Sequence, residues 1–117
     1  MPVSPRQRAG GAAEQLALDY LSSQGLRLVE RNFRARAGEL DLIMRDADEL
    51  VFIEVRARAS ASFGGAAASV TPSKQRRIRR AAQVYLQSRL GQAPWPALRF
   101  DVVALECARM HWLRGVF

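Results

Sequence analysis

Two acidic residues, Asp41 and Glu54, lie in neighbouring segments of alternating apolar and polar residues, and Arg56 follows two positions after the glutamate. The alternation predicts two β-strands joined by a polar turn over residues 45–49. Glu54 and Arg56 share one face of the second strand, because side chains two positions apart point the same way. In a paired hairpin, Asp41 could converge with them on one small volume. Two carboxylates beside a cation suit a divalent metal site.

Strict alternation divides the side chains of each predicted strand between two faces. For the second strand, residues 50–58, the predicted sets are Val51, Ile53 and Val55 on one face and Phe52, Glu54 and Arg56 on the other. For the first strand, residues 38–44, they are Leu40, Leu42 and Met44 on one face and Glu39, Asp41 and Ile43 on the other.

A first helix is predicted from about Gly11 to Gln24, and Gly25 is a usual C-terminal cap. Residues 1–9 before it are interpreted as a basic lead-in. Glu14 lies near the start of the helix and close to its apolar stripe. Its carboxylate therefore either interacts with the helix dipole or points into a site beneath the helix. The predicted stripe consists of Ala13, Leu16, Ala17, Tyr20 and Leu21.

A second helix is predicted from Pro72 to about Leu90, with Thr71 as its N-terminal cap. Lys74 lies in line with the apolar stripe of this helix. Its ammonium group therefore either extends over the edge of the core or reaches the site formed by the carboxylates. The predicted buried stripe consists of Ile78, Ala81, Ala82, Tyr85 and Leu86, and the residues on the exposed side are Arg76, Arg79 and Arg80.

Three further strands are predicted over residues 26–34, 98–105 and 110–114, the first with Leu26 and Leu28 inward. Small residues predict a flexible loop over residues 59–71, with Phe63 as an anchor. His111 is interpreted as structural, and Trp95 and Trp112 as packing residues. The element order is α-β-β-β-α-β-β, in which the second helix crosses over to a fourth strand. We therefore expect one α/β domain over residues 1–117, with a mixed sheet of four to five strands flanked by helices.

The composition limits the protein class. The chain has 117 residues, of which 49% are hydrophobic and 25% charged, as in a soluble globular domain. It contains no run of about eighteen apolar residues, so no transmembrane helix is expected. The N-terminus lacks the apolar segment of a signal peptide. Cys107 is the one cysteine, which excludes an internal disulfide. These features predict a cytoplasmic protein with no membrane partner.

The formal net charge of +7 is unevenly spread. The interval between Val55 and Phe100 has no acidic residue but contains Arg56, Arg58, Lys74, Arg76, Arg77, Arg79, Arg80, Arg89 and Arg99. Nucleic acid is the natural partner of such a surface, because each neutralised phosphate releases counterions. Only one of the 18 basic residues is a lysine, so a general bias toward arginine on solvated helix faces is the alternative explanation.

Phosphodiester cleavage is the chemistry that this combination of charges suits. It needs a cation that neutralises the nonbridging oxygens and lowers the pKa of an attacking water. Mg²⁺ (or Mn²⁺) is held by one or two carboxylates plus waters, so Asp41 and Glu54 would suffice, and Glu14 could reach the same ion or a second one. The cation at position 56 would stabilise the developing charge.

The segment Gly38-Glu39-Leu40-Asp41-Leu42-Ile43, followed by Phe52-Ile53-Glu54-Val55-Arg56-Ala57-Arg58, resembles the GEIDLI and FVEVK-x-R motifs of the bacterial YraN-type proteins. The resemblance covers nearly the whole chain, including Asn32, Phe63-Gly64 and Phe100-Asp101. That family is a largely uncharacterised branch of the restriction-endonuclease-like, or PD-(D/E)xK, superfamily. It is similar to archaeal Holliday-junction resolvases, which cut branched DNA as dimers with Mg²⁺. The resemblance implies a restriction-endonuclease-like fold and a DNA endonuclease.

By position, Asp41 matches the first acidic residue of the superfamily motif, Glu54 the second and Arg56 the lysine. Glu14 matches the helix-borne glutamate of the resolvase-like branch, and Lys74 a basic residue on the helix after the core. The resemblance thus assigns catalysis to Asp41, Glu54, Arg56 and Lys74, and metal binding to Glu14, Asp41 and Glu54. Arg56 is a departure, because an arginine stabilises charge but cannot relay a proton; Lys74 is a candidate replacement. The residues expected to bind nucleic acid are Arg34, Arg36, Arg58, Arg76, Arg77 and Arg80.

Three functions stay open at this point. The first is a metal-dependent endonuclease, and the second is a catalytically silent nucleic-acid-binding protein on the same fold. The third is an interaction adaptor in which Asp41 and Glu54 only pair with Arg56 and Lys74, although buried ion pairs are costly unless fully hydrogen-bonded. The last strand, Met110 to Arg114, is a candidate interface for a homodimer, because we expect it at an exposed edge.

Overall fold

The computed structural model describes the backbone of residues 5–58, 70–106 and 109–117, and the side chains of residues 11–57, 70–106 and 109–117. The elements are α1 (Pro5–Ser23), β1 (Arg27–Ala35), β2 (Gly38–Asp46), β3 (Glu49–Arg58), α2 (Pro72–Arg89), β4 (Ala97–Glu106) and β5 (Arg109–Leu113). The predicted α/β class and the order α-β-β-β-α-β-β are therefore confirmed. The predicted loop over residues 59–71 lies outside the described residues, apart from Val70 and Thr71.

The five strands form one sheet in the order β1-β2-β3-β4-β5. Neighbouring strands are antiparallel except for β3 and β4, which are parallel. Parallel neighbours need a long connection, and α2 forms part of it, as predicted. Within the described parts of the chain, no helix has the length and apolar character needed to span a membrane.

The second helix forms as its sequence predicts. Thr71 Oγ1 accepts a hydrogen bond from the Lys74 backbone N–H at 3.3 Å, and Pro72 occupies the first turn, where its missing N–H is not needed. The buried residues of α2 are those of the predicted stripe, namely Ile78, Ala81, Ala82, Tyr85 and Leu86.

The first helix differs from its prediction in two respects. It begins at Pro5 rather than at Gly11, so it includes part of the basic segment expected over residues 1–9. Leu16 is 50% exposed and Leu18 is buried instead. Successive helical residues are about 100° apart around the axis. Ala17 lies near one edge of the buried stripe, so Leu16 falls outside the stripe and Leu18 falls within it. Gly25 ends the helix with φ of 99°, as a C-terminal glycine cap does.

Each face of the sheet carries an apolar layer covered by one helix. The layer under α2 includes Ile43, Phe52 and Val102, and the layer under α1 includes Val51 and Ile53. The predicted division of β3 between two faces is confirmed. Glu54 and Arg56 follow Phe52 at two-residue spacing and therefore lie on the α2 side.

The strand β2 changes parity at Asp41. Leu40 packs with Ile43 under α2, whereas Leu42 packs under α1, so the predicted grouping of Leu40 with Leu42 is wrong. The regular pairing of β2 with β3 begins only at Leu42. On β1, the register puts Asn32 opposite Asp41, and Asn32 has φ of 56°, a left-handed conformation that asparagine adopts more readily than most residues.

Two other packing predictions are wrong. Leu28 is 43% exposed, because the register of β1 shifts between Leu28 and Glu30 and turns the side chain away from the core. Trp95 is 42% exposed in the loop after α2, where its indole N–H donates to the Gly91 carbonyl at 3.4 Å. Trp112 is partly buried and packs edge-on against Tyr20, as a packing residue should.

Asp101 is the centre of a buried polar network. Arg99 Nε and Nη2 contact its two oxygens at 3.0 and 2.9 Å, and Trp112 Nε1 and the Gly115 N–H each donate to it at 2.9 Å. Arg99 also pairs with two acidic residues next to the β2–β3 turn, Asp46 and Glu49. The network joins the C-terminal segment to the sheet and leaves both oxygens of Asp101 hydrogen-bonded.

Replacement of Asp101 by asparagine should lower the free energy of unfolding by about 3 kcal/mol or more, because it removes one partner of a buried ion pair. The matched control is Asp48→Asn, an exposed residue of the β2–β3 turn, which should change stability by less than about 0.5 kcal/mol. Urea denaturation at neutral pH measures both. Equal losses in the two variants would contradict the structural role of Asp101.

Candidate functional site

A pocket of about 210 Å³ lies between the start of β2, the C-terminal half of β3 and the first turns of α2. It is lined by Gly38, Glu39, Asp41, Glu54, Arg56, Lys74, Arg77 and Ile78. The structure thus brings together the four side chains predicted to be catalytic, although they come from three elements of the fold.

Asp41 lies where β2 separates from β3. Its Oδ2 accepts a hydrogen bond from the backbone N–H of Val55 at 2.9 Å. The carboxylate thereby provides the acceptor that a neighbouring strand would otherwise supply to this N–H group. The bond anchors Asp41 to β3 next to Glu54.

Glu54 and Arg56 form a close ion pair in the pocket. Arg56 Nη2 is 2.9 Å from Glu54 Oε1, and the two side chains are 25% and 13% exposed, respectively. The Nε atom of Arg56 is buried and has no hydrogen-bond partner within the described residues. A buried donor of this kind is uncommon in proteins, and an oxyanion or a water that entered the pocket would satisfy it.

The pocket disfavours two negative charges at once. Burial raises the pKa of Glu54 from 4.5 to about 8, and the charge of Asp41 adds to this rise, while Arg56 and Lys74 oppose it. Burial also raises the pKa of Asp41, against the lowering effect of hydrogen bonds with Val55 and Glu54. Without a bound cation, ionisation of one carboxyl therefore makes ionisation of the other less favourable.

Lys74 lies half-buried at the pocket, in the first turn of α2. The dipole of a helix disfavours a cation at its N-terminus by about 0.3–1 kcal/mol, and the first turn of α2 contains no acidic residue that would compensate. The carboxylates across the pocket offset this cost, since the charge of Lys74 acts on Glu54. The carboxylates of the pocket therefore explain the position of Lys74, whereas helix stability does not.

Glu14 is buried under α1 but does not line the pocket. Arg31 Nη2 lies 3.5 Å from its Oε1. Burial and the charge of Asp41 raise the pKa of Glu14, while the charge of Arg31 and hydrogen bonding from Arg31 and Asn32 lower it. Glu14 is therefore close enough to interact electrostatically with Asp41, yet the predicted set of three metal ligands does not share one pocket.

Sequence reasoning missed Arg31 and Gly38. Simple alternation gives no indication that β1 and β2 change parity at Asn32 and Asp41, which turns Arg31 toward α1. At Gly38 a Cβ atom would lie 3.2 Å from the Arg77 carbonyl oxygen, so glycine permits the close approach of β2 and α2. The pattern of residue types therefore gives no sign of the orientation of Arg31. The role of Gly38 is visible in the sequence only as a glycine at the start of a strand.

The predicted nucleic-acid-binding residues lie around this pocket or on the outer face of α2. Arg77 lines the pocket, and the contact at Gly38 brings the β1–β2 connection next to α2. The side chain of Arg58 lies outside the described residues. The exposed members of the predicted set are Arg34, Arg36, Arg76, Arg77 and Arg80.

The pocket contains carboxylates of the kind that hold a hard divalent cation. Mg²⁺ is usually held by one or two carboxylates together with waters, and Asp41 and Glu54 supply that number in a pocket with room for waters. In the part of the chain that the structure describes, no three Asp, Glu, His or Cys side chains are arranged to hold a metal ion by themselves. Any ion here would therefore rely on water or substrate oxygens for most of its ligands.

Comparison with known proteins gives the family. A model of Uncharacterised protein family UPF0102 matches residues 13–105. The chain belongs to the UPF0102 family. This UPF0102 chain is 56% identical to a UPF0102 protein of Bordetella parapertussis, over 97% of the chain and 66% of that protein. It is 53% identical to one of Herminiimonas arsenicoxydans, over 97% and 90%, and 55% identical to one of Cupriavidus metallidurans, over 99% and 85%.

Membership of UPF0102 confirms the predicted bacterial family and adds no activity, because the family is uncharacterised. The relation to the restriction-endonuclease-like superfamily and the similarity to archaeal resolvases stay predictions. The function of this UPF0102 chain must therefore be argued from the chemistry of the pocket.

The metal-free UPF0102 protein should lose stability as the pH rises from about 4.5 to about 8, through the contribution of Glu54. In this interval the native state binds more protons than the unfolded state, so the free energy of unfolding falls with rising pH. Glu54→Gln should flatten this slope, and the exposed control Asp48→Asn should retain it. Urea denaturation with a chelator at several pH values measures the slopes. Equal slopes for Glu54→Gln and the wild type would contradict the raised pKa.

Proposed function

We propose that this UPF0102 chain is a metal-dependent nuclease that hydrolyses phosphodiester bonds of DNA, with branched DNA as a candidate substrate. The observation that carries the proposal is that Asp41 and Glu54, both partly buried, interact with each other in one pocket beside Arg56 and Lys74. Two converging carboxylates are unfavourable in a folded protein unless a cation compensates them. Metal-assisted hydrolysis makes use of that arrangement.

Each residue of the pocket would have a distinct role in this reaction. Asp41 and Glu54 would hold Mg²⁺ or Mn²⁺, which when bound neutralises nonbridging phosphate oxygens and lowers the pKa of an attacking water. Arg56 would donate hydrogen bonds to a phosphate oxygen, because an arginine stays protonated and cannot serve as a base. Lys74 would stabilise the charge that develops at the reacting phosphate. Glu14 lies outside the pocket but near Asp41, and it would interact with the bound ion through waters.

The exposed arginines support a nucleic acid as substrate. Arg77 lies at the pocket, and Arg76 and Arg80 continue along the exposed side of α2. Arg34 lies at the end of β1, and Arg36 lies in the connection from β1 to β2. Each arginine that contacts a phosphate contributes a salt-dependent increment of affinity and fixes the position of the strand without reading its sequence. The pocket at one end of this basic surface could therefore receive a phosphodiester group.

A catalytically silent nucleic-acid-binding protein is the second candidate. It is favoured by the arginine at position 56, where a lysine is expected. It is also favoured because, among the described residues, no third acidic side chain is arranged to share a metal ion with Asp41 and Glu54, although Glu39 borders the pocket. The same residues would then bind a cation and a phosphate without turnover. An adaptor protein would need only the Glu54–Arg56 pair, which is common to all three candidates.

With MgCl₂ or MnCl₂, the protein should cleave at least one member of a panel of branched, flapped and single-stranded DNA. Asp41→Asn and Glu54→Gln should each reduce the rate at least about 100-fold, because changes behind metal ligands already cost about 10–100-fold. Asp48→Asn, an exposed turn residue, should keep the wild-type rate. Arg56→Lys should raise the rate if the arginine weakens a working site. Gel-based cleavage assays measure all four.

Each other outcome has a distinct meaning. Undiminished cleavage by both Asp41→Asn and Glu54→Gln would show that the site is wrongly assigned. Salt-sensitive DNA binding without cleavage in either metal would favour the binding protein. No affinity for DNA at physiological salt would favour the adaptor.

A further inference from the structure

Arg56 has a satisfied and an unsatisfied nitrogen. Nη2 contacts Glu54 Oε1 at 2.9 Å, whereas the buried Nε has no partner within the described residues. The guanidinium carries N–H donors in a planar fork and can bind two oxygens of one anion side by side. The contact of Nη2 with Glu54 uses only part of this capacity, so a second oxygen could bind at Nε.

A divalent cation would compete with Arg56 for Glu54. Both would approach the same carboxylate, and two cations at such a separation repel each other strongly in a partly buried pocket. Lys74 and Arg77 line the same pocket, but the ion pair that the structure shows for Glu54 is with Arg56. Arg56 is therefore the side chain that a cation bound by Glu54 would displace.

The side chain of Arg56 has room to turn away from Glu54 within the pocket. Its backbone is held in β3 by pairing with Ala104 of β4, so only the side chain is free to turn. That side chain is 25% exposed and lines a pocket that Arg77 also borders. A phosphate group drawn in by the basic surface would offer two oxygens to the guanidinium, including one for the unsatisfied Nε.

We infer that Arg56 exchanges partners: it contacts Glu54 in the metal-free protein, and it transfers to a phosphate oxygen of the nucleic acid when a divalent cation binds. The inference rests on the proposed function and adds a regulatory property to that site. Cation and nucleic acid then bind cooperatively, and the coupling is reciprocal, because each favours the arrangement in which Arg56 has left Glu54. In the metal-free protein, the positive charge of Arg56 takes the place of the metal ion, so the pocket can fold without a bound metal.

The first test is calorimetric titration of MgCl₂ into the metal-free protein, with no nucleic acid present. Arg56→Met removes the competing cation and should tighten Mg²⁺ binding about fivefold or more, the lower end of usual coupling between sites. Arg77→Met removes an equal charge that borders the pocket without pairing to Glu54, and should change the affinity less than about twofold. Arg56→Gln, which is polar and uncharged, should reproduce the tightening if the methionine variant does not fold.

The second test measures transfer of Arg56 to the phosphate. The affinity for a short phosphorothioate DNA duplex, which resists hydrolysis, is determined with and without MgCl₂. Magnesium should strengthen duplex binding by the wild type about fivefold or more, and the gain for Arg56→Met should be less than half as large. Arg77→Met should bind the duplex more weakly but should keep the wild-type gain.

The outcomes separate this inference from the proposed function. Magnesium binding by Arg56→Met that is no tighter than in the wild type would overturn the partner exchange and leave the metal site intact. A full magnesium-dependent gain in duplex affinity for Arg56→Met would overturn the transfer to phosphate. No Mg²⁺ binding by the wild type or any variant would overturn the metal site, and the proposed nuclease with it.

Discussion

The backbone N–H of Val55 points across the gap where β2 leaves β3, and Asp41 Oδ2 accepts its hydrogen bond at 2.9 Å. A partly buried backbone donor must find an acceptor, and here a carboxylate takes the place of a strand. The same bond fixes Asp41 next to Glu54, at the position where β2 changes parity. The pocket is then closed by α2, whose backbone reaches β2 at Gly38 because glycine has no side chain.

A comparison of Asp101, which is buried, with Glu54, which is partly buried, shows why this pocket differs from the core. Asp101 has hydrogen bonds from Arg99, Trp112 and the Gly115 backbone, so it needs nothing from outside the protein. Glu54 has a raised pKa and a close cation, Arg56, whose buried Nε finds no acceptor in the described part of the chain. Asp101 thus has all its hydrogen bonds within the protein. The Glu54–Arg56 pair, in contrast, would be stabilised by a bound cation and a bound anion together. That difference is the physical ground for placing function at Glu54 rather than at Asp101.

The sequence predicted the features that depend on local pattern. The stripe of α2, its cap at Thr71 and the two faces of β3 follow from periodicity, and they suffice to direct Glu54 and Arg56 to the α2 side. It could not predict the parity changes of β1 at Asn32 and of β2 at Asp41, because the amino-acid types do not reveal where the alternation of a strand breaks. The exposure of Leu16 and Leu28 was missed for related reasons, since both depend on helix rotation and strand register. Arg31 became visible as the partner of Glu14 only after the strands were paired.

The central claim is that Asp41 and Glu54 form the cation site. Paramagnetic broadening by Mn²⁺ in amide NMR spectra tests it most directly, because the effect falls steeply with distance from the ion and does not depend on catalytic activity. A substoichiometric amount of MnCl₂ should first broaden the amides of Asp41, Glu54 and Val55, while those of the β2–β3 turn stay sharp. Broadening centred on Asp46 and Glu49 in that turn, or no selective broadening, would contradict the account.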